Sequence, residues 1–530
     1  MPRHRLQDVN TTDLVDAIRL GCRSMSRCFN ADDGDLPFGG ARVRPDARLA
    51  GSFESHIPGR HLNALLSAEE AAGVTLDESA VDKHARAAFF SCSRAPLPLQ
   101  RGGERTGGRG DPVLLQDHDV REGFHALYAL ARYRDSSRAL EVAEAGIRLI
   151  TEYWLPGERW DLPRLQSDWP VRVLRDEAGT FIQRMARAIG PLVKIHRATG
   201  CGPALELALA LKEKAAREFF GEAGAFSNDL FGPHAHSTTC VMSSLAQLAD
   251  HTGDAALLAR VKAFYDNGLW ELRDQIGWSI ETTDPASDCL RGEANNTGDI
   301  VETALILGAH GHPEYYEDAE RILRSHLLPS QLRDVSFVVE PDNPEGVDGL
   351  RCVGERLRGG FGFPAPYGHE PAGLWESNKP RVGFNLDIVG GAVGSLCEAL
   401  RETTRLDEDG HWVNLLFDRV TPEIEVRSPY THERLGVRLR QPGALHVRLP
   451  SWADAARVTV DGAGPARHVG GYLVLDDPAV GRWIEFDMDL PVRESELTWR
   501  NLRTRVRFRG DEAVAMDDFG TDLTFFEPFE

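Results

Sequence analysis

The sequence predicts a mainly α chain, an (α/α)6 barrel of six helical hairpins, followed by a C-terminal antiparallel β-sandwich. Three observations carry this. A helix–elbow–helix pattern recurs through most of the chain, the apolar period changes from helical to alternating after Asp407, and 530 residues exceed one ordinary core. The expected units are residues 1–407 for the barrel and 408–530 for the sandwich, with the change falling between 404 and 412.

Residues 62–89, 124–150, 191–215, 240–268 and 300–327 each read as two amphipathic helices around a polar turn. In the second of these, Phe124, Leu127, Tyr128 and Ala131 recur at helical spacing. The elbows fall near residues 73, 134, 199, 252 and 311, about 60 residues apart, which is a repeat architecture. Residues 10–27 and 388–403 supply one further helix each. Six hairpins closed into a ring bury every inner helix on both sides, whereas an open stack would need polar caps.

Beyond Asp407 come HWVNLLF, EIEVRSP, GVRLRQ, ALHVRLP, RVTVDG, GYLVLDD and RWIEFDMDLP, short alternating runs separated by Gly, Pro and Asp turns. Long connections at 28–60, 94–119, 154–176, 222–236, 274–294 and 333–387 are rich in Gly, Pro, Asp and Trp. Connections of this length in a compact domain usually carry function, and in a helical toroid they gather at one rim.

A formal net charge of −21 argues against nucleic acid or an anionic membrane surface as partner. The first residues, MPRHRLQDVNTTDLVDAIRLG, hold no apolar stretch of signal-peptide length, so a cytoplasmic location is expected. The eight cysteines, at 22, 28, 92, 201, 240, 289, 352 and 397, form no CxxC pair and read as reduced, mostly buried thiols.

Four segments could carry chemistry. GPHAHSTTC places His234 and His236 at a helix start, with Ser237 as expected N-cap; the histidines either bond loop carbonyls or hold a sugar hydroxyl or carboxylate at a pocket rim. IGWSIETTDPASDCLRGEANNTGDIVE gathers Glu281, Asp284, Asp288, Glu293 and Asp299 near Trp278. A carboxyl beside an indole is desolvated and becomes a general acid, and the indole face stacks on a sugar ring. Asp299, inside the helix, reads as a local hydrogen-bond partner, so Glu281 and Glu293 are favoured. In QDHDVREGFHALY, Asp119 and Glu122 have capping-box spacing, while His118 and Arg121 are candidates to face the pocket. In WESNKPRVGFNLDIVGG, Glu376, Asn385 and Asp387 precede the last barrel helix.

At these residues the chain resembles glycoside hydrolase family 127, the β-L-arabinofuranosidases, within the six-hairpin glycosidases. HAHST resembles that family's segment at a helix start, and IETTD the segment carrying its acid/base glutamate, which implies that role for Glu281. GEANN resembles its Glu-x-Cys motif with Glu293 retained, YYEDAERILRSHLLPSQ the helix that follows, and RLPSWA with RVTVDG, GYLVL and RWIEFDMDLP its sandwich. The resemblance spans roughly residues 115–495. The family's zinc is held by a Glu, a Cys two residues later and a Cys pair that includes the nucleophile. Here Asn295 stands at the first cysteine and Leu386 with Asp387 at the pair, while Cys352 and Cys397 are displaced. No metal or other cofactor is therefore expected.

The leading expectation is a glycoside hydrolase acting on oligosaccharides through paired carboxyls, Glu281 with Glu293 or Asp387, an arabinofuranosidase-like exo-glycosidase being one form of it. His234, His236, Trp278, His118, Arg121, Asn385 and Glu376 are the expected substrate-binding residues, with Tyr367 and Trp375 as further stacking rings. Two other classes stay open. One is a lyase using His234 or His236 as base on uronate sugars; the other is a carbohydrate-binding relative without catalysis. A homodimer is compatible with either.

Overall fold

The computed structural model describes residues 4–529 except 45, 103–112, 175–178, 285–291, 363–381, 518–522 and 525. Among the described residues twelve helices build the barrel: α1 (Leu14–Met25), α2 (Ile57–Ala72), α3 (Glu78–Ser91), α4 (Asp119–Arg134), α5 (Ser137–Tyr153) and α6 (Ile189–Thr199), then α7 (Gly202–Glu218), α8 (Ala235–Thr252), α9 (Ala255–Asp266), α10 (Ala294–Ala309), α11 (Pro313–Ile322) and α12 (Asp387–Glu402). The even-numbered helices form the inner ring. Each packs on the next, and α12 returns to pack on α2, so the ring is closed. The odd-numbered helices lie outside, each against its hairpin partner, with α1 against α12.

The elbows follow from turn chemistry. Gly73, Gly200 and Gly253 take the left-handed conformation just past α2, α6 and α8, where a side chain would be strained. Four of the six outer helices start on capping side chains: Asp13 accepts from Asp16 N, Asp77 from Ser79 N, Ser136 from Ala139 N, and Asp254 from Leu257 N. The inner helices differ. None has a side-chain hydrogen bond at its N-cap. Because hairpins alternate direction, all six inner helices begin at the same rim, and their first-turn N–H groups face it together.

Glycines let the inner helices approach closely. A Cβ on Gly59 of α2 would collide with the Glu122 carbonyl of α4, and one on Gly391 of α12 with the Asn295 side chain of α10.

A sheet that the sequence reading left as loop closes one side of this rim: β1 (Phe29–Asn30), β2 (Leu36–Arg44), β3 (Arg48–Ser52) and, from far along the chain, β4 (Val382–Asn385). Gly40 of β2 stands opposite Asn385 of β4, which sets the chain entering α12.

The sandwich has two five-stranded sheets. One, in spatial order, holds residues Arg467–Val469, Tyr472–Leu475, Leu445–Arg448, Gly410–Val413 and Thr404–Asp407; the other holds Arg419–Val420, Ile424–Arg427, Leu435–Leu439, Trp483–Asp487 and Thr459–Asp461. It is antiparallel except where Gly410–Val413 runs parallel to Leu445–Arg448. Val413, Val426, Val437, Val447, Leu473 and Phe486 fill its core. The last antiparallel sheet, Val492–Trp499, Leu502–Arg509 and Glu512–Met516, belongs to the barrel's core instead: Leu497, Trp499, Val506 and Phe508 pack there. Ring and sandwich meet at a fully buried charged joint. Glu320 of α11 pairs with Arg324 at 2.9 Å and with Arg448, and Arg324 lies over the rings of Phe417 and Tyr430 at 3.8 and 3.6 Å. Among the described residues no helix is long and apolar enough to cross a membrane.

Candidate active site

The rim where the inner helices begin collects charged and imidazole side chains that an ordinary helical core would exclude. His56 and Arg60 come from the start of α2; His118, Asp119, Arg121 and Glu122 from α4; Arg187 from the turn before α6; His234 and His236 from α8; Glu293, Asn295 and Asp299 from α10; Asp387 from α12. Most are buried, so each must find partners.

Asn295 lies at the centre. Its amide nitrogen donates to Glu293 Oε1 at 2.8 Å and to Asp387 Oδ2 at 3.1 Å. Arg60 donates to Asn295 Oδ1 at 3.4 Å, pairs through Nε with Glu122 Oε2 at 3.1 Å, and donates to His236 Nε2 at 2.9 Å. That last bond fixes the His236 tautomer: Nε2 accepts, so Nδ1 carries the proton and faces Glu293 Oε1 at 3.6 Å. His234 Nδ1 lies 2.7 Å from Ser237 Oγ. One atom each of His234, His236 and Glu293 falls within 4.8 Å of the others. The His236 nitrogen facing Glu293 bears hydrogen and its other nitrogen faces a guanidinium, so this trio is a hydrogen-bonding group rather than a cation seat.

On the opposite side His56 bridges two carboxylates, Asp119 Oδ1 at 3.0 Å and Asp387 Oδ2 at 3.5 Å. Burial disfavours its charge, but the bonds to Asp119 and Asp387 prevail and carry its pKa to about 10, so it is an imidazolium donating on both sides. Asp119 also accepts from Ser55 at 2.7 Å and Gln100 at 3.1 Å, and lies 3.1 Å from His118.

The two carboxyls joined by Asn295 are driven apart. Burial, then the charges of Glu281 and Asp387, push Glu293 up to about 8. Burial also pushes Asp387 up, but the bond from His56 and the charges of His56 and Arg60 hold it down at about 2. At neutral pH one is a proton donor and the other an anion. Burial lifts Asp299 to about 7 as well; it accepts from Thr239 at 3.0 Å and is the partner-bonded residue that its helical position suggested.

Glu281, whose charge acts on Glu293, is also tied to this group through its backbone. Its carbonyl accepts from Ala235 N at 3.0 Å, Thr282 bridges His234, and Ile280 bridges Gly292, so the 276–284 loop is laced to the starts of α8 and α10. His118 is half-exposed beside Asp119. Asn385 is half-buried on β4, two positions before Asp387. Glu376, with Tyr367, Trp375, Asp288 and Cys289, lies outside the described residues.

Four expectations are corrected. Trp278 is 0% exposed and packs edge-on against Trp499 at 4.9 Å, so its ring offers no face to a sugar. Asp119 and Glu122 form no capping box: their carboxylates leave the helix start to bind His56 and Ser55, and Arg60, Arg121 and Arg187. Ser237 is not the N-cap of α8; His234 is, and Ser237 sits in the first turn. Arg121 does not face an open pocket. It is buried below the site, 2.9 Å from Glu122 and 3.8 Å from Asp299. The sequence reading missed His56, Arg60 and Arg187, and gave Glu122 only a capping role. For Arg60 and Glu122 the available signal was charge within IPGRHLNALL and REGFHAL, segments otherwise rich in apolar residues.

No protein-family model and no curated protein matches the sequence. Solved structures match in fold. A family 127 β-L-arabinofuranosidase from Geobacillus stearothermophilus T6 superposes with a TM-score of 0.54 at 14% identity, over 96% of this chain and 81% of that one. A second family 127 β-arabinofuranosidase gives 0.56 at 14% identity, over 97% and 84%, and a structure described as a glycoside hydrolase gives 0.52 at 12%, over 96% and 85%. The chain thus has the six-hairpin barrel-and-sandwich fold of these proteins.

Proposed function

We propose that the chain is a glycoside hydrolase acting on oligosaccharides, with the proton delivered from Glu293 and Asp387 as the anionic partner. The observation that carries this reading is the Asn295 amide bound to two carboxyls of opposite protonation. One nitrogen at 2.8 and 3.1 Å from both keeps the two oxygens less than about 6 Å apart, nearer the spacing of retaining than of inverting glycosidases. Asp387, oriented by His56, attacks the anomeric carbon as Glu293 protonates the leaving oxygen; Glu293 then takes a proton from the water that releases the sugar. Glu281, the acid that the family resemblance implies, acts here through its charge, which helps retain the proton on Glu293.

The family's zinc does not fit this set. Of its four ligand positions only Glu293 keeps a ligand of the same type, and at Asn295 an amide N–H aims at both carboxyls where a thiolate would be needed. No step is routed through a metal. The lyase alternative asks His234 or His236 to serve as base, but burial holds His234 down at about 3 and His236 well below its usual range. An arabinofuranosidase-like exo-action is the narrower form of this proposal, supported by the fold likeness to family 127 structures.

A panel of aryl furanosides and pyranosides tests it. Turnover should persist from pH 5 to 7 and fall as pH rises through about 8, because Glu293 must hold its proton to donate it. Glu293→Gln should cut kcat by about 10²–10⁴-fold on poor leaving groups and less on activated ones. Glu281→Gln should stay active with its alkaline limb displaced to lower pH. Leaving-group dependence appearing in Glu281→Gln instead would move the acid to Glu281. No turnover of any glycoside by the parent chain would favour the binding-only class.

A further inference from the structure

Beneath the rim, on the far side of α2 from Asn295, three metal-ligating side chains converge. Cys28 precedes β1, His61 lies on α2 and His84 on α3, and all are buried. Cys28 Sγ is 3.6 Å from His61 Nδ1 and 4.0 Å from His84 Nε2, and the two nitrogens are 3.3 Å apart. The Met25 carbonyl oxygen adds a fourth corner, 3.2 Å from both Cys28 Sγ and His84 Nε2. We infer that Cys28, His61, His84 and the Met25 carbonyl form a closed tetrahedral site for a divalent d-block cation of the zinc type.

The geometry is that of a coordination shell. Metal bonds of about 2.0–2.1 Å to nitrogen and about 2.3 Å to sulfur place tetrahedral corners about 3.3 Å apart for two nitrogens and about 3.6 Å for nitrogen and sulfur. The His61–His84 edge of 3.3 Å and the Cys28–His61 edge of 3.6 Å match these, while the Cys28–His84 edge of 4.0 Å is about 0.4 Å longer; 3.3 Å between nitrogens is long for a hydrogen bond. The second shell is complete for His61, while Nδ1 of His84 is buried with no hydrogen-bond partner among the described residues. His61 Nε2 donates to the Leu386 carbonyl at 2.8 Å, leaving Nδ1 without hydrogen and aimed into the cluster. Burial keeps both imidazoles neutral, as ligands must be; His61 is lowered to about 4 and His84 well below its usual range. Burial pushes the Cys28 thiol up to about 12 against the weaker pull of the Arg356 and Lys83 charges, so the cation itself must displace the thiol proton. Binding exchanges one proton, that of the Cys28 thiol, for the cation, so the ion enters as the chain folds and stays.

This site is apart from the family's zinc position. Its ligands lie 33 and 23 positions apart, a spacing that carries no sequence signature. It would pin α2, α3 and the end of α1 together and, through His61 and Leu386, the residue before Asp387.

The test is metal analysis of the full chain prepared without chelators, and refolding with zinc chloride or cobalt(II) chloride. The expected result is one equivalent of metal and, for cobalt, a thiolate charge-transfer band. Both should be lost in Cys28→Ser and in His84→Gln, and kept in His236→Gln and Cys352→Ser. Copper in place of zinc at the same three residues would support the site and revise the ion. Two results would overturn it. One is parent protein refolded with zinc or cobalt that binds less than a tenth of an equivalent. The other is bound metal that survives both Cys28→Ser and His84→Gln in chains folded by circular dichroism.

Discussion

Glu293 shows how a single side chain registers its surroundings. Its folded pKa, about 8 against an ordinary 4.5, means that the folded chain holds a proton that the unfolded chain releases. Where the native state binds more protons, stability falls as pH rises. The contribution is whole below about pH 4.5 and is lost progressively up to about pH 8. Glu293→Gln, which keeps the shape without the charge, should therefore melt close to the parent at pH 5 and several degrees above it at pH 8.5, a gain on the order of a few kcal/mol at most. Thermal melts of both proteins across that range check it; a gap that closes with rising pH would remove Glu293 as the proton holder. Of the site, Glu293, Asp387 and the two α8 histidines were legible because they fall where long connections meet helix starts. His56, Arg60 and Glu122 were not, since charge on a helix normally marks a solvated face. Only the closure of the ring makes these positions interior.

At the scale of elements, the sixth pair, α12 with α1, joins the two ends of the ring, whereas five helical hairpins were readable because each is local, its apolar period and its turn residues lying within one stretch. The rim sheet was not, since β2 pairs with β4 across more than three hundred residues and LPFGGARVR has no alternation of its own. Within the inner ring, helix separation is set by absent side chains. Gly59→Ala forces a methyl into the Glu122 backbone and should cost about 1–3 kcal/mol or more, moving the two helix starts that carry Arg60 and Glu122. Gly394→Ala, on α12 with nothing nearer than 3.9 Å, should be neutral or slightly stabilising. Paired thermal melts distinguish them; equal melting temperatures would show that α2 and α4 can separate freely.

Over the whole molecule, the change of period placed the sandwich strands well, from HWVNLLF to RWIEFDMDLP. It said nothing of what joins them to the ring, because Glu320, Arg324 and Arg448 read as three ordinary surface charges. Buried together they are interdependent: Arg448→Met leaves Glu320 short of a partner and should cost about 3–5 kcal/mol. The final sheet adds apolar contact, its Trp499 against Trp278 of the ring. The full chain should consequently lose its far-ultraviolet helical signal and its tryptophan fluorescence in one transition. A chain ended at residue 403 should yield no soluble ring. Two separated transitions, or a soluble helical fragment, would show the units to be independent.

Closure of the ring also has a consequence in time. His61 of α2 bonds to Leu386, 325 positions later. At synthesis rates of about 5–20 residues per second, α2 waits tens of seconds for its last neighbour. Meanwhile the growing chain is a crescent with two unsatisfied apolar edges, each shaped to accept the other. The edge of a second nascent crescent fits as well. Crowded ribosomes on one message would thus favour exchange of terminal hairpins between chains, and slower initiation or chaperone cover of α2 should raise the yield of properly closed rings.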